Sequence, residues 1–282
     1  MKNVFRISGL VLIIFLIHSC KKDEPTPPVI LTTTVTEITY TTATSGGEVT
    51  NDGGSPVTSR GVCWNTSVNP TIANSKTIEN GEVGTFTSLL TGLTAGTKYY
   101  VRAYASNSIG TAYGNEVWFT TLEIAIGSSY QGGIVAYILQ SGDPGYIAGE
   151  THGLIAAPSD QSTGLQWYNG SNTITSATAT ALGTGNANTN TIVSSQGEGS
   201  YAAKMCYDLV LGDYSDWCLP SKTEINKLYL NKAAIGGFAS EGYWSSSELT
   251  KNTASVQHFG DGFVVVITSK FYANYVRAVR SF

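Results

Sequence analysis

The chain has 282 residues, length for about two domains, and 41% of them are apolar, enough to build real cores. Only 13% are charged, with 20 acidic against 16 basic residues, a formal charge of -4. No basic surplus exists to neutralise phosphates, which argues against a nucleic-acid partner. The 31 glycines, with abundant Thr, Ser, Asn and Tyr, fit β-rich domains outside the cytoplasm, whose strands take Thr and Tyr and whose turns take Gly and Asn.

Lys2 and Arg6 flank a positive start, and an apolar run follows from Ile7 to Ile17. Eleven residues at about 1.5 Å each cannot cross a hydrocarbon core of about 30 Å, so the pattern is that of a secretory leader over residues 1–19. It ends in Ile17-His18-Ser19-Cys20, which resembles a bacterial lipobox. The resemblance implies that Cys20 becomes the first mature residue and carries acyl chains, leaving a mature charge of -6. Each buried methylene contributes about 0.8 kcal/mol, so several chains hold the protein stably on a membrane. Lys21-Lys22-Asp23-Glu24 is similar to the surface-export signal of Bacteroidota-type lipoproteins, which implies an outer-membrane location facing the exterior. Read on its own, the same cluster is a solvated group of charges beside the bilayer. Pro25-Thr26-Pro27-Pro28 completes a semi-rigid tether over 20–28.

Residues 29–122 alternate short Thr/Val/Tyr-rich runs with Gly, Asn and Pro: Val35–Ile38, Ser45–Val49, Arg60–Trp64. Turns every 8 to 12 residues or so indicate a β-sandwich. Along Lys98–Ala105, period two places Tyr99, Val101, Ala103 and Ala105 on one face and Lys98, Tyr100, Arg102 and Tyr104 on the other. Leu93, six residues before Tyr99, resembles the tyrosine corner of fibronectin type III domains. With Gly61-Val62-Cys63-Trp64-Asn65 and Asn69-Pro70-Thr71-Ile72, the segment resembles the fibronectin type III-like repeats of exported Bacteroidota proteins, which implies a spacer or interaction module. Cys63 and Trp64 read as buried apolar residues.

Residues 123–282 open with strands at Tyr130–Leu139 and Gly153–Pro158. The polar stretch 169–199 reads as a long loop. A helix capped by Ser200 follows, with Ala202, Met205, Cys206 and Leu209 at helical spacing and Gly212 at its end. Ser221 and Glu224 form the capping box of a second helix with Ile225, Leu228 and Tyr229 on its apolar face. Strands at 242–247, 255–259, 263–268 and 274–280 finish the domain, the middle pair joined by Gly260-Asp261-Gly262. The fold class is therefore an all-β sandwich followed by an α+β domain.

Ala202–Leu209, Gly212–Ser221, Tyr243–Ser247 and Tyr275–Arg280 resemble the Lcl C-terminal family, the C-terminal domain of the Legionella collagen-like adhesin, and more distantly C-type-lectin-like and formylglycine-generating-enzyme-like folds. The adhesin resemblance implies binding of sulfated glycans, yet this chain is acidic and Cys218 stands where an Arg or aromatic residue is expected. Cys206 and Cys218 leave two readings open: a short-loop disulfide in an oxidising compartment, or two buried free thiols. Only His152 and His258 remain outside the leader, no Gly-x-Ser-x-Gly elbow occurs, and no Cys/His cluster has zinc spacing, so no catalytic residue, metal or cofactor is assigned. Asp208, Asp213 and Asp216 lack calcium-loop order and suit a turn.

Aromatic residues are the better guide to a ligand, because exposed rings stack on the apolar faces of sugars. Trp167 and Tyr168 beside the polar loop are the expected surface pair; Tyr243 and Trp244 are further candidates, with Trp217 and Trp244 favoured as core. Three functional classes follow. One is a lipid-anchored adhesion module for glycans or a surface protein; one is a structural envelope component; one is a divergent enzyme of the formylglycine-generating fold. The oligomeric state stays open, trimers being common among adhesive tips.

Overall fold

The computed structural model describes residues 24–282; the expected leader over 1–19, Cys20 and the charges at 21–23 lie outside the described residues. The chain divides into one compact unit ending at Leu122 and a second, Glu123–Phe282.

The first unit consists of β1 (Val29–Thr32), β2 (Ala43–Asn51), β3 (Ser59–Asn65), β4 (Ser75–Lys76), β5 (Glu79–Asn80), β6 (Gly84–Leu90), β7 (Lys98–Ser106), β8 (Thr111–Tyr113) and β9 (Val117–Thr120). One sheet has the order β1-β2-β6; the other runs β4-β3-β7-β8, with β5 also on β3 and β9 also on β7. Every pairing is antiparallel. Period two decides which side chains meet between the sheets: Tyr99, Val101, Ala103 and Ala105 of β7 are all buried, and they pack with Ile30, Val49, Val62, Trp64, Leu90 and Phe119. The backbone N–H of Thr94 donates to Tyr99 Oη at 3.0 Å, and Leu93 is buried beside it. This is the tyrosine-corner arrangement the spacing predicts.

Two expectations change here. Val35–Ile38 is not a strand: Glu37 sits at φ 49°, outside the extended region, and only Thr36 bridges to Thr44. The tether ends earlier than Pro28. Thr26 N–H donates to Gly53 O at 2.9 Å, Asn107 Nδ2 donates to Thr26 O at 2.7 Å, and Pro28 is buried, so residues 26–28 are held against the sandwich.

The second unit is α+β. It comprises β10 (Ser129–Tyr130), β11 (Gly133–Ile138), β12 (Gly153–Ala156), β13 (Ser162–Leu165), α1 (Gly185–Gln196), α2 (Ala202–Tyr207), α3 (Lys222–Leu230), α4 (Lys232–Ile235), β14 (Gly242–Thr250), β15 (Thr253–His258), β16 (Val264–Ser269), β17 (Asn274–Val276) and β18 (Val279–Ser281). The sheet orders are β10-β11-β12-β18 and β13-β17-β14-β15-β16. The strand expected over Tyr130–Leu139 is interrupted at Gln131-Gly132 by a two-residue hairpin turn. Gln131 (φ 45°) and Gly132 (φ 85°) both take positive φ, as a type I′ turn requires. Gly260-Asp261-Gly262 lies in the connection from β15 to β16, but this is not the tight primed turn expected: five residues separate the strands, and of the three only Gly262 takes positive φ (82°). The strand expected over 274–280 is split in two, β17 and β18 lying in different sheets.

The stretch expected to be one long loop contains α1. Its buried residues are Gly185, Asn188, Thr189, Ile192 and Gln196, a helical face built mostly from polar side chains. Each polar member has a specific partner. Asn188 Nδ2 donates to Ala179 O (2.7 Å) and Ser246 Oγ (3.2 Å), Thr189 Oγ1 accepts from Leu219 N (3.0 Å), and Gln196 Oε1 accepts from Asn169 N (2.8 Å). The next helix is shorter than expected: Tyr201, not Ser200, is its N-cap, and it ends at Asp208. On α3 the capping box is complete, Ser221 accepting from Glu224 N and Glu224 from Ser221 N.

Candidate binding cleft

The aromatic residues singled out by sequence are in the interior. Trp167 is 0% exposed; its Nε1 donates to Ser245 O at 2.8 Å, and the Lys270 ammonium sits 4.4 Å from its ring centroid. It therefore corrects the expectation of a surface pair, and Tyr168 is half-buried against the same core. Trp244 is fully buried, as favoured, with Nε1 donating to Leu165 O at 2.7 Å. Tyr243 is buried too. Its ring lies 4.5 Å from Phe259 and its hydroxyl donates to Asp160, so it cannot serve as a contact surface either.

Cys206 and Cys218 are free thiols, both buried. Of the two readings, the unbridged one holds: Cys206 packs from α2 into the tryptophan core, while Cys218 faces the core containing Tyr243 and Phe259. Burial pushes all three described thiols upward, Cys63 to about 11. Thiolate is the reactive form. Iodoacetamide at about pH 8 is therefore expected to spare the folded protein and to modify Cys63, Cys206 and Cys218 once it is unfolded without reductant. A mass short by two alkyl groups would mean that Cys206 and Cys218 are bridged.

Ser245, Ser246 and Ser247 are buried and engaged, with Ser245 Oγ donating to Ser255 O and Ser247 Oγ to Ala179 O. Each described histidine faces a carboxylate, His152 that of Glu150 and His258 that of Asp261. Among the described residues no group of three or more His, Cys, Asp or Glu side chains could hold a metal ion, and no helix is long and apolar enough to cross a membrane.

A mainly apolar concavity of this unit lies elsewhere, under the loop from Leu139 to His152. Asp143 pins the start of that loop by accepting from Tyr137 Oη (2.6 Å) and Gln140 N (2.8 Å); the Tyr137 hydrogen bond leads in holding its carboxyl below the usual range. Lys227 of α3 donates to Tyr137 Oη at 3.0 Å, tying the loop to a helix. Leu139 N–H donates to His152 O at 2.8 Å and closes it. The hydrogen bond to Glu150 raises the His152 pKa above its ordinary value. Beneath lies a cleft of about 290 Å³ walled by Leu139, Pro144, Ile147, Leu154, Leu182 and Phe282.

At Leu154, Gly183 and Ser281 the cleft adjoins a recess of about 160 Å³ with a different character, bordered by Asn186, Asp216, Glu224 and Arg280. Arg280 is held rigidly. Its Nε and Nη2 reach Asp216 at 2.6 and 3.0 Å, its Nη1 donates to Gln131 at 2.7 Å, and its guanidinium stacks 4.2 Å from the Tyr214 ring centroid. This forked contact lowers the Asp216 pKa. Glu224 accepts from Ser221 N and Gly183 N, both at 2.7 Å, and from Gly185 N at 3.4 Å; burial nevertheless pushes its carboxyl upward. One carboxylate thus caps α3 and fixes the backbone that separates cleft from recess. An apolar wall beside a few fixed polar groups is the usual make-up of a ligand site.

Sequence reasoning missed this cleft because its walls come from a turn-rich loop and from Leu182 and Phe282, far apart in the chain. It also missed the exposed rings. Phe271 and Tyr272, each 62% exposed, occupy the turn between β16 and β17, where no periodicity marks them. Lys270, Arg277 and Arg280 are committed to ion pairs with Glu248, Asp160 and Asp216, and Lys204 pairs with Asp208 and Glu198.

None of the curated proteins compared with the chain matches it. Among solved structures, the sensor domain of the anti-sigma factor RsgI4 of Pseudobacteroides cellulosolvens is 22% identical, covering 35% of this chain and 97% of that one at a TM-score of 0.27. A fibronectin type III domain of human collagen XX is 15% identical over 36% of this chain and 99% of its own, also at 0.27. Residues 157–280 match the Lcl C-terminal domain family. That stretch holds all four helices and the whole five-stranded sheet, while the 139–152 loop over the cleft precedes it.

Proposed function

We propose that the chain is an exported, lipid-anchored binding module whose second unit, C-type-lectin-like in kind, takes a neutral glycan end in the cleft under the 139–152 loop. The carrying observation is the junction of an apolar wall with fixed hydrogen-bonding groups at Asn186, Asp216 and Arg280, which suits a ligand having an apolar face and hydroxyls. The match of residues 157–280 to an adhesin-derived domain family supports a binding role. Cys20, after a leader and before a charged tether, supports the anchor.

A glycan array probed with the full chain, followed by calorimetry on the best neutral ligand, tests the reading. Ile147→Asp, at a position 49% exposed, is expected to weaken binding about ten-fold or more, since it places a charge on the apolar wall. Unchanged affinity would remove the cleft from consideration, and an empty array would remove the glycan. Mass spectrometry of the native product is expected to find acyl chains on Cys20; an unmodified, cytosolic product would overturn the anchor.

A further inference from the structure

We propose that the outer face of the larger sandwich sheet is a second ligand surface, which binds an acidic polysaccharide by stacking sugar rings on Trp118 and Tyr100 and pairing their carboxylates with Lys98 and Arg102. Pairing register places Tyr100 of β7 directly opposite Trp118 of β9 and, on its other side, Asn65 of β3. The three form a row across neighbouring strands, about 4.8 Å apart. Trp118 is 63% exposed, which nothing in sandwich packing requires of so large a ring. Lys98 and Arg102 flank Tyr100 along β7, on the same face.

The cations are arrayed on the rings. Lys98 Nζ lies 4.4 Å from the Trp118 centroid and 5.0 Å from that of Tyr100, and the Arg102 guanidinium lies 4.8 Å from Tyr113. Arg102 Nε donates to Gly114 O at 3.0 Å, which fixes that side chain. Lys76 of β4 stands opposite Cys63, itself opposite Arg102, and extends the positive row.

Charge distribution selects the ligand. Residues 24–122 contain seven acidic and four basic residues, yet three of the four basic ones, Lys76, Lys98 and Arg102, sit on this face. Strands β3, β4, β7, β8 and β9 contain no Asp or Glu, and the one acid of β5, Glu79, accepts from Ser88 Oγ of the other sheet at 3.1 Å. Glu116, just before β9, accepts from Asn69 N. A local positive field on an otherwise acidic unit favours an anionic ligand. The flat aromatic row favours one with apolar ring faces over a phosphate or an extended acidic peptide.

The test is electrophoresis of the detergent-extracted full chain through native gels containing polygalacturonate, uncharged dextran or no polymer. Retardation is expected in polygalacturonate alone. Trp118→Ala should weaken it about ten-fold, and Lys98→Gln several-fold. Salt at about 1 M, where the Debye length is about 3 Å, should weaken it as well. Ile147→Asp in the cleft of the other unit should leave it unchanged, which separates this surface from the proposed glycan-end site. Both sandwich substitutions alter exposed side chains, and circular dichroism checks that the fold persists. Absence of retardation, or full retardation of folded Trp118→Ala, overturns the proposal. So does equal retardation by dextran that Lys98→Gln leaves intact, or competition by polyglutamate as strong as by polygalacturonate.

Discussion

Lys270→Met is expected to destabilise the 123–282 unit by about 3–5 kcal/mol, the usual penalty for leaving one member of a buried ion pair alone. The pair spans 2.5 Å, with side chains 0% and 2% exposed for Lys270 and Glu248. Lys270 Nζ also donates to Thr173 O at 3.2 Å, and Glu248 accepts from Thr175 N and Ser176 N at 2.8 to 3.0 Å. The pair therefore fastens the polar 173–176 segment to β14. Urea unfolding followed by tryptophan fluorescence measures the loss, since Trp167 lies under the ammonium. Glu248→Gln with Lys270→Met should be milder than the sum of the two single changes, because a neutral amide keeps an acceptor for the two backbone donors.

The acid behaviour of this pair has a definite sign. Burial pushes the Glu248 carboxyl up, but hydrogen bonds from Lys270 and the two backbone N–H groups outweigh it and hold the carboxyl below its ordinary value of 4.5. A depressed native pKa means that the unfolded chain binds the extra proton first. The stabilisation is thus complete above the unfolded value and vanishes as pH falls through the native one. Asp216, lowered by Arg280, acts in the same direction. In Lys270→Met the opposing cation is gone and burial dominates. The deficit against wild type should shrink between about pH 7 and about pH 4. A deficit constant over that range would mean that the pair does not set the Glu248 ionisation.

Glu224→Ala is expected to cost a comparable about 3–5 kcal/mol, from a lost helix cap together with buried N–H groups of Ser221, Gly183 and Gly185 left without an acceptor. Amide exchange at Gly183 and Gly185 should accelerate along with it. Glu224→Gln should cost less, because the amide oxygen keeps an acceptor for the N–H groups on one side of the carboxyl while its NH2 faces the donor on the other. The sign here is opposite to that of Glu248: stability from Glu224 falls as pH rises through its native pKa. Equal losses in the two variants would show that the negative charge, and not the acceptor geometry, holds the turn.

What could be read along the chain was local. Ser221 and Glu224 lie three residues apart, Gly260-Asp261-Gly262 marks the reversal of a hairpin although not its turn type, and β7 alternates within nine residues. Helix α1 escaped because its buried face replaces apolar side chains with Asn188, Thr189 and Gln196, whose partners at Ala179, Leu219, Ser246 and Asn169 no window of sequence contains. Trp167 looked exposed because a polar segment follows it. What covers it comes from Ser245, 78 residues later, and from Lys270 beyond that. Burial of a large ring is a tertiary fact, and composition nearby does not report it.

The pairing of β12 with β18 carries a consequence for how the protein is made. Leu154, Ile155 and Ala156 meet Ser281, Arg280 and Val279, so an early and the last strand of this unit lie side by side. A ribosome delivers the first of them long before the second, and such long-range closure is slow to form. The sheet therefore cannot be completed until residues 279–281 have been made, more than a hundred residues after its third strand.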